Sequence, residues 1–374
     1  MNREAVVASE PLYFNFHDLV TVEVTAAEPE DRAFFESEYN HHRSDRASPG
    51  RPGVFLRVRR GLVRPGFGQL GLGGLPGLGL SGSPRGYTFH QHKLLARWGY
   101  RMQIDPERVE LDVIGNRLAI PMVHHMLLHP SLRYLSARRG VLLLHAGAVS
   151  HLGKSLIFTG YGGAGKTTTT ALLLAGGGAD WAPHGDDYIF LGPGPASLAY
   201  MTRSHLYSDL LKWVPEVAER LNAGERPRLE LFSLIRRWSG ERLKWAVRLP
   251  IERLWPGREM AKSAKPAAVI LLARDPSAQR PSLHAVEANE ALTSDLVRMN
   301  FYEARHFLNL VQKSGSVPDY ETWLEGWQDC ERALLQERLR EVPVYRLALP
   351  GEAGSPAAFR EALVDELRRL VELA

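Results

Sequence analysis

The stretch Leu142–Gly178, LLLHAGAVSHLGKSLIFTGYGGAGKTTTTALLLAGGG, decides how this chain is read. Its two apolar runs, LLLHAGAVS and SLIFTG, are short and bounded by glycine, as buried strands are. TTTTALLLA reads as a helix, and Gly176-Gly177-Gly178 is a strong stop signal for it. Between the second strand and the helix, Gly160-Tyr161-Gly162-Gly163-Ala164-Gly165-Lys166-Thr167 fits G-x-x-x-x-G-K-[ST]. Average residue frequencies give such a match by chance on the order of once per hundred chains of this length, and the strand–loop–helix context narrows that further. The pattern has a mechanism. Glycines let the successive backbone N–H groups of Gly160, Gly162, Gly163, Ala164 and Gly165 turn inward around a phosphate chain. The helix that opens at Lys166, Thr167 and Thr168 adds the partial positive charge of its N-terminus. Lys166 is expected to reach the β- and γ-phosphates of ATP, and the Thr167 hydroxyl to ligate Mg²⁺.

Some twenty residues further on stands His184-Gly185-Asp186-Asp187-Tyr188, next to the strand-like YIFL at 188–191. A nucleotide site needs a carboxylate near its Mg²⁺, and transfer to a hydroxyl benefits from a second one as base. Two adjacent acids repel unless a cation sits between them. Asp-Asp is also an ordinary turn dipeptide; its place after a glycine-rich loop is what favours the metal-and-base reading. The spacing does not say which of Asp186 and Asp187 has which role.

His145 ends the first apolar run, ahead of the Lys166 loop. Together these residues resemble the HPr kinase/phosphorylase-like kinases, a family related in fold to the ATP-dependent phosphoenolpyruvate carboxykinases. The likeness spans residues 140–192. It implies a P-loop α/β core like the C-terminal domain of HPr kinase, with ATP and Mg²⁺ as cofactors. It also implies His145 beside the transferred phosphate, and Asp186 and Asp187 divided between acceptor base and metal. Lys166 completes the implied catalytic set.

Outward from this core, alternating strand and helix signals imply a mainly parallel or mixed sheet. AVILLA (268–273) and VYRLAL (344–349) read as strands; 287–313, 319–340 and 356–373 read as helices. Upstream, 12–24 and 54–58 read as strands, and VELDVIGNRLAI (109–120) as a hairpin turning at Gly115-Asn116. Residues 61–86, rich in glycine, read as a long mobile loop. The expected layout is therefore a small β-rich domain over 1–120, a helical connector over 121–139 interrupted at Pro130, a kinase core over 140–275, and a helical C-terminal region over 276–374 packed on that core.

Composition bounds the rest. In 374 residues, 44% are hydrophobic and 24% charged, ordinary for a globular chain. A single cysteine excludes an internal disulfide framework. With no secretory h-region and no long apolar run, a cytoplasmic protein without a membrane partner is expected. The net charge is +4, but 226–265 alone carries 11 Lys/Arg against 4 Glu. This basic, Trp-bearing segment, taken as an insert over 206–265, is the natural place to recognise an acceptor peptide, small protein or small molecule. Nucleic acid is disfavoured as a partner; a homo-oligomer is compatible with everything above. His125 and His129 lie four apart but lack companion ligands, and so read as a helix face. His41, His42, His90 and His92 read as surface, and Arg203 as a candidate phosphate clamp. The activity expected is transfer of the γ-phosphoryl of ATP to a hydroxyl, that of a serine first. A carboxykinase-like enzyme acting on a small carboxylic acid, and a nucleotide-binding module without catalysis, are the alternative classes.

Overall fold

The computed structural model describes residues 10–46, 48, 50–61, 77–83, 86–93, 95–192, 194–240, 245–350 and 355–373. The chain is mixed α/β and divides into two compact units, Met1–Arg139 with Tyr302–Cys330, and Gly140–Phe301 with Glu331–Ala374.

The first unit carries an eight-stranded sheet. Its elements are β1 (Leu12–Phe16), β2 (Val20–Ala26), α1 (Pro29–Glu38), β3 (Arg43–Ser44), β4 (Gly53–Arg60), β5 (Gly77–Ser83), β6 (Gly86–Lys93), β7 (Ala96–Asp105), β8 (Arg108–Gly115), α2 (Ile120–Val123) and α3 (His129–Arg138). The strand order is β3-β1-β2-β4-β8-β7-β6-β5. Several expectations change here. The strand expected over 12–24 is two, β1 and β2, paired antiparallel. The break falls where His17 and Asp18 take positive φ (55° and 57°), held by the Asp18 N–H donating to Asn15 Oδ1 at 2.8 Å. The hairpin at Gly115-Asn116 does not form. A two-residue turn needs positive φ at its centre, and Asn116 has φ −89°. Its side chain instead donates to the Leu95 carbonyl at 2.6 Å and accepts from the Arg97 N–H at 3.2 Å. The chain then enters a short 3₁₀ turn, Arg117–Ala119. Part of the glycine-rich stretch is strand: β5 pairs antiparallel with β6 along its length. Residues 62–76 of the expected loop lie outside the described residues.

The connector belongs to this first unit rather than standing between domains. It does not break at Pro130: α2, a π-helical turn (His124–Leu128) and α3 run on without interruption, with Pro130 just past the π turn, the irregularity that lets a helix carry it. His129 is buried, not a surface helix face: its Nε2 lies 3.0 Å from His124 Nε2. His42 is buried too, stacked on Phe16 at 4.3 Å. Burial, with His17 and His41 nearby, lowers its pKa well below the usual histidine value.

The second unit is built on β9 (Leu142–His151), β10 (Lys154–Thr159), α4 (Lys166–Gly176), β11 (Trp181–Gly185), β12 (Tyr188–Leu191), β13 (Ser197–Tyr200), β14 (Ser204–Leu206), α5 (Ser208–Trp213), α6 (Glu225–Trp238), β15 (Val247–Leu249), α7 (Ile251–Leu254), β16 (Ser263–Asp275), β17 (Ser282–Val286), β18 (Val344–Pro350) and α10 (Pro356–Leu373), with the parts of α8 (Glu290–Ser314) and α9 (Tyr320–Glu341) that lie outside 302–330. Eight of the strands form one sheet, in the order β11-β13-β12-β9-β10-β16-β18-β17. It is mixed rather than mainly parallel. Parallel pairing runs through β10, β16 and β18, while β9 pairs antiparallel with both β10 and β12. The reason is local. Leu152 (φ 49°) and Gly153 (φ 81°) form a two-residue turn from β9 into β10, and so tight a link joins only antiparallel neighbours. On one face of the sheet, Leu172 and Leu173 of α4 and Leu363 and Leu367 of α10 share a core with Phe158, Ile270 and Leu347.

The region 276–374 is not one helical block packed on this core. It contains β17 and β18, and its 302–330 portion belongs to the first unit. There the Trp327 ring meets Tyr134 at 5.5 Å and the Arg133 guanidinium at 5.1 Å, and Cys330 Sγ donates to the Ala137 carbonyl at 3.0 Å. Among the described residues, no helix is long and apolar enough to cross a membrane.

Candidate functional site around Lys166 and the aspartate pair

β10 ends at Thr159 and α4 begins at Lys166, so the loop between them is Gly160–Gly165. Gly163 (φ 87°) and Gly165 (φ 105°) take left-handed conformations that strain any other residue. Lys166 is buried, and its Nζ donates to the Gly160 carbonyl at 2.8 Å. Thr167 and Thr168 follow in the first turn of α4.

β9 passes directly beneath this helix start. A Cβ on Gly147 would lie 3.0 Å from Thr170 Cγ2, 3.3 Å from the Asp186 carbonyl and 3.6 Å from Lys166 Cβ. The alternation of a strand puts His145 on the same face as Gly147. The Asn300 side chain of α8 fixes the backbone there: its Oδ1 accepts from the His145 N–H at 2.9 Å and its Nδ2 donates to the Leu143 carbonyl at 3.2 Å. Asn300 Nδ2 also donates to the buried Glu331 carboxylate at 3.0 Å. The His145 ring lies 5.5 Å from that of Tyr188, its register partner on β12.

Asp186 and Asp187 occupy the turn from β11 to β12, and the Asp187 carbonyl accepts from the Ala146 N–H at 3.0 Å. The two acids sit in different surroundings. Asp186 is buried, and its carboxyl takes hydrogen bonds from Ser204 and Thr167. Among the described residues its Oδ2 has no hydrogen-bond partner. Burial first, and Asp187 second, push its pKa up to about 6. Asp187 is partly exposed, and its Oδ2 lies 2.9 Å from His205 Nδ1. A cavity of about 20 Å³, large enough for one water, has Thr167, Asp186, Ser204 and His205 at one side of a mostly apolar lining that includes Met201, Leu210 and Trp255.

This donor set fits a magnesium ion. A hydroxyl and a carboxylate with an unpartnered buried oxygen are hard ligands, and Mg²⁺ fills its remaining positions with waters and phosphate oxygens. Among the described residues no three His, Cys, Asp or Glu converge on a metal position, and such a closed protein cage is not what Mg²⁺ with a nucleotide uses.

Residues 160–168, Asp186 and Asp187 thus lie around the start of α4, with His145 on β9 two residues before Gly147. The signals that were missed are His205, Ser204 and Asn300. His205 and Ser204 sit on β14, just ahead of the basic insert, and no spacing ties them to the glycine-rich loop. Asn300 is one polar residue in a long helix. Arg203 is tied to β15: its guanidinium donates to the Arg248 carbonyl at 2.7 Å, beside the antiparallel pairing of β14 with β15. His184, next to the acid pair, is buried and spans the Ala261 carbonyl (2.6 Å) and Ser197 Oγ (2.8 Å), so it anchors β11. In the insert, α6 turns Leu231, Leu234 and the almost fully exposed Trp238 outward. Arg236 pairs with Asp209 at 2.9 Å, and Arg253 with Glu225 at 2.7 Å.

No protein-family model matches the chain, and no curated protein matches it.

Proposed function

We propose that this protein is an ATP- and Mg²⁺-dependent kinase of the HPr kinase-like type, which moves the γ-phosphoryl of ATP to a hydroxyl, that of a serine first. The observation that carries the reading is the convergence of Thr167, buried Asp186 and the Asp187–His205 pair at the N-terminus of a helix preceded by a glycine-rich loop. Decorative glycine turns have no reason to bring two carboxylates there.

In this reading the loop N–H groups and Lys166 take the β- and γ-phosphates, Lys166 giving up its bond to the Gly160 carbonyl. Thr167 and Asp186 would hold Mg²⁺, whose charge would neutralise that on the phosphate oxygens. Asp187, held by His205, accepts the proton of the acceptor hydroxyl as the new O–P bond forms and the bond to the β-phosphate oxygen breaks, leaving ADP. His145, presented from β9, stands beside the transferred group. The acceptor approaches from the side of β14, which supplies His205 just ahead of the insert, and α6 within the insert carries exposed apolar and basic side chains.

The test is incubation with γ-labelled ATP, Mg²⁺ and candidate peptides or proteins encoded nearby, with phosphate addition read by intact mass. Asp187→Asn and His145→Ala are expected to lose transfer by two orders of magnitude or more, in the range of removing a catalytic base, while keeping ATP affinity. Transfer by both variants at the wild-type rate overturns the assignment.

A further inference from the structure

α6 (Glu225–Trp238) carries apolar residues on two sides. Leu229 is buried and Phe232 packs against the same core. The Arg236 guanidinium lies 5.6 Å from the centre of the Tyr207 ring and pairs with Asp209 at 2.9 Å. These side chains face the body of the second unit. Leu231, Leu234 and Trp238 are 52%, 59% and 96% exposed. At about 100° per residue they form one stripe on the side of the helix opposite Leu229 and Arg236. A surface helix ordinarily turns its polar face to water; here two leucines and a tryptophan hold that place.

The spacing and charge of this stripe say what covers it. Pro227, Leu231, Leu234 and Trp238 follow the a/d rhythm of a paired helix. Glu230 and Arg237 stand immediately before Leu231 and Trp238, on the same flank of the stripe. Along their own helix they are about 10 Å apart, too far to pair with each other. Glu230 meets Arg226 at 3.9 Å, both side chains largely exposed, a contact that contributes little. Across an antiparallel seam the geometry changes. With two copies of α6 centred between Leu234 and Ile235, Leu231 of each faces Trp238 of the other. Glu230 of each then comes within about 3 Å, along the axis, of Arg237 of the other. Two-fold symmetry makes that ion pair twice. Parallel copies would set Trp238 against Trp238 and leave Glu230 beside Ile235. An anionic lipid surface or an acidic helix would meet Glu230 as a like charge on the flank.

We propose that α6 is a self-association surface of this protein: two copies pair antiparallel through Leu231, Leu234 and Trp238, and Glu230 and Arg237 exchange ion pairs across the two-fold axis. The inference does not draw on the phosphate-loop reading. The seam is short and below the standard interface size, so association is weak, with a dissociation constant on the order of 10 μM.

Sedimentation velocity of the full chain over a range of about 1 to 200 μM tests it. The wild type is expected to pass from monomer to dimer. Glu230→Arg and Arg237→Glu each set like charges across the seam, and each is expected to weaken association at least about tenfold. An equimolar mixture of the two variants restores both ion pairs, as does the double variant Glu230→Arg/Arg237→Glu. Both are expected to dimerise within about threefold of the wild type. All of these changes fall on exposed side chains, and a melting temperature matched to the wild type at low concentration shows that each variant folds. A wild type that stays monomeric, whether or not it sediments with phosphatidylserine vesicles, overturns the proposal. So does dimerisation undiminished in Leu234→Asp/Trp238→Ser, which places the contact elsewhere. Weakened single variants that do not recover in the mixture or in the double variant overturn the antiparallel seam.

Discussion

Asp186 is the residue where stability and chemistry pull against each other. Burial holds its folded pKa up at about 6, above the ordinary aspartate value of 3.8. Between those values the unfolded chain has released its proton while the folded chain retains it, so stability falls as pH rises from about 4 through 6. Asp186→Asn removes that term. Without Mg²⁺ or nucleotide, the variant is expected to melt higher than the wild type at pH 7, by an amount on the order of 2 kcal/mol, and to lose the decline between pH 4 and 6. Thermal melts across that range check it; an unchanged slope in the variant contradicts the account of Asp186. A buried carboxylate kept at such a cost to the fold is what a cation site requires. At the same scale, Gly165→Ala puts a Cβ on a φ of 105° and is expected to cost about 1–3 kcal/mol, read as a lower Tm.

At the scale of elements, the decisive contact is β9 under the start of α4. Gly147 has no room for a larger side chain: a Cβ already reaches 3.0 Å from Thr170 and 3.3 Å from the Asp186 carbonyl. Gly147→Val is expected to destabilise the protein by about 1–3 kcal/mol and to weaken ATP binding by displacing Lys166 from the loop. Equal Tm and equal affinity in the variant contradict this packing. The strand-and-helix rhythm around that contact was legible in the sequence, because glycine stops and apolar runs are local signals. YIFL, AVILLA and VYRLAL all lie in strands, and the last helix spans 356–373 as its periodicity predicts. What was not legible depends on distant partners. Gly115-Asn116 has the composition of a hairpin turn, but Asn116 bonds back to Leu95 and Arg97 instead. His205 reaches Asp187 from β14, a short strand whose partner β15 lies some forty residues further along the chain, and nothing in its own neighbourhood announces that. The mixed pairing of the second sheet hangs on the Leu152-Gly153 turn, which a reading of alternating strands and helices passes over.

Across the whole molecule, the units are not consecutive pieces of chain. Residues 302–330 return to the first unit, where Phe307, Leu310, Val311 and Trp327 are buried. A fragment of residues 140–374 therefore keeps 302–330 while losing the strands and α3 of their own unit. Such a fragment is expected to bind a hydrophobic dye and to aggregate. A monodisperse fragment with a cooperative melt and no dye binding contradicts the division.

The central claim concerns the molecule as a nucleotide-driven enzyme, and calorimetric titration of the full chain with Mg·ATP tests it most directly. The wild type is expected to bind saturably. Lys166→Ala is expected to lose about 1.5–3 kcal/mol, the range of a charge-assisted contact, or roughly 10- to 100-fold in affinity, with an unchanged melting temperature. Equal affinity of the two proteins for Mg·ATP, or no binding by the wild type, contradicts the claim.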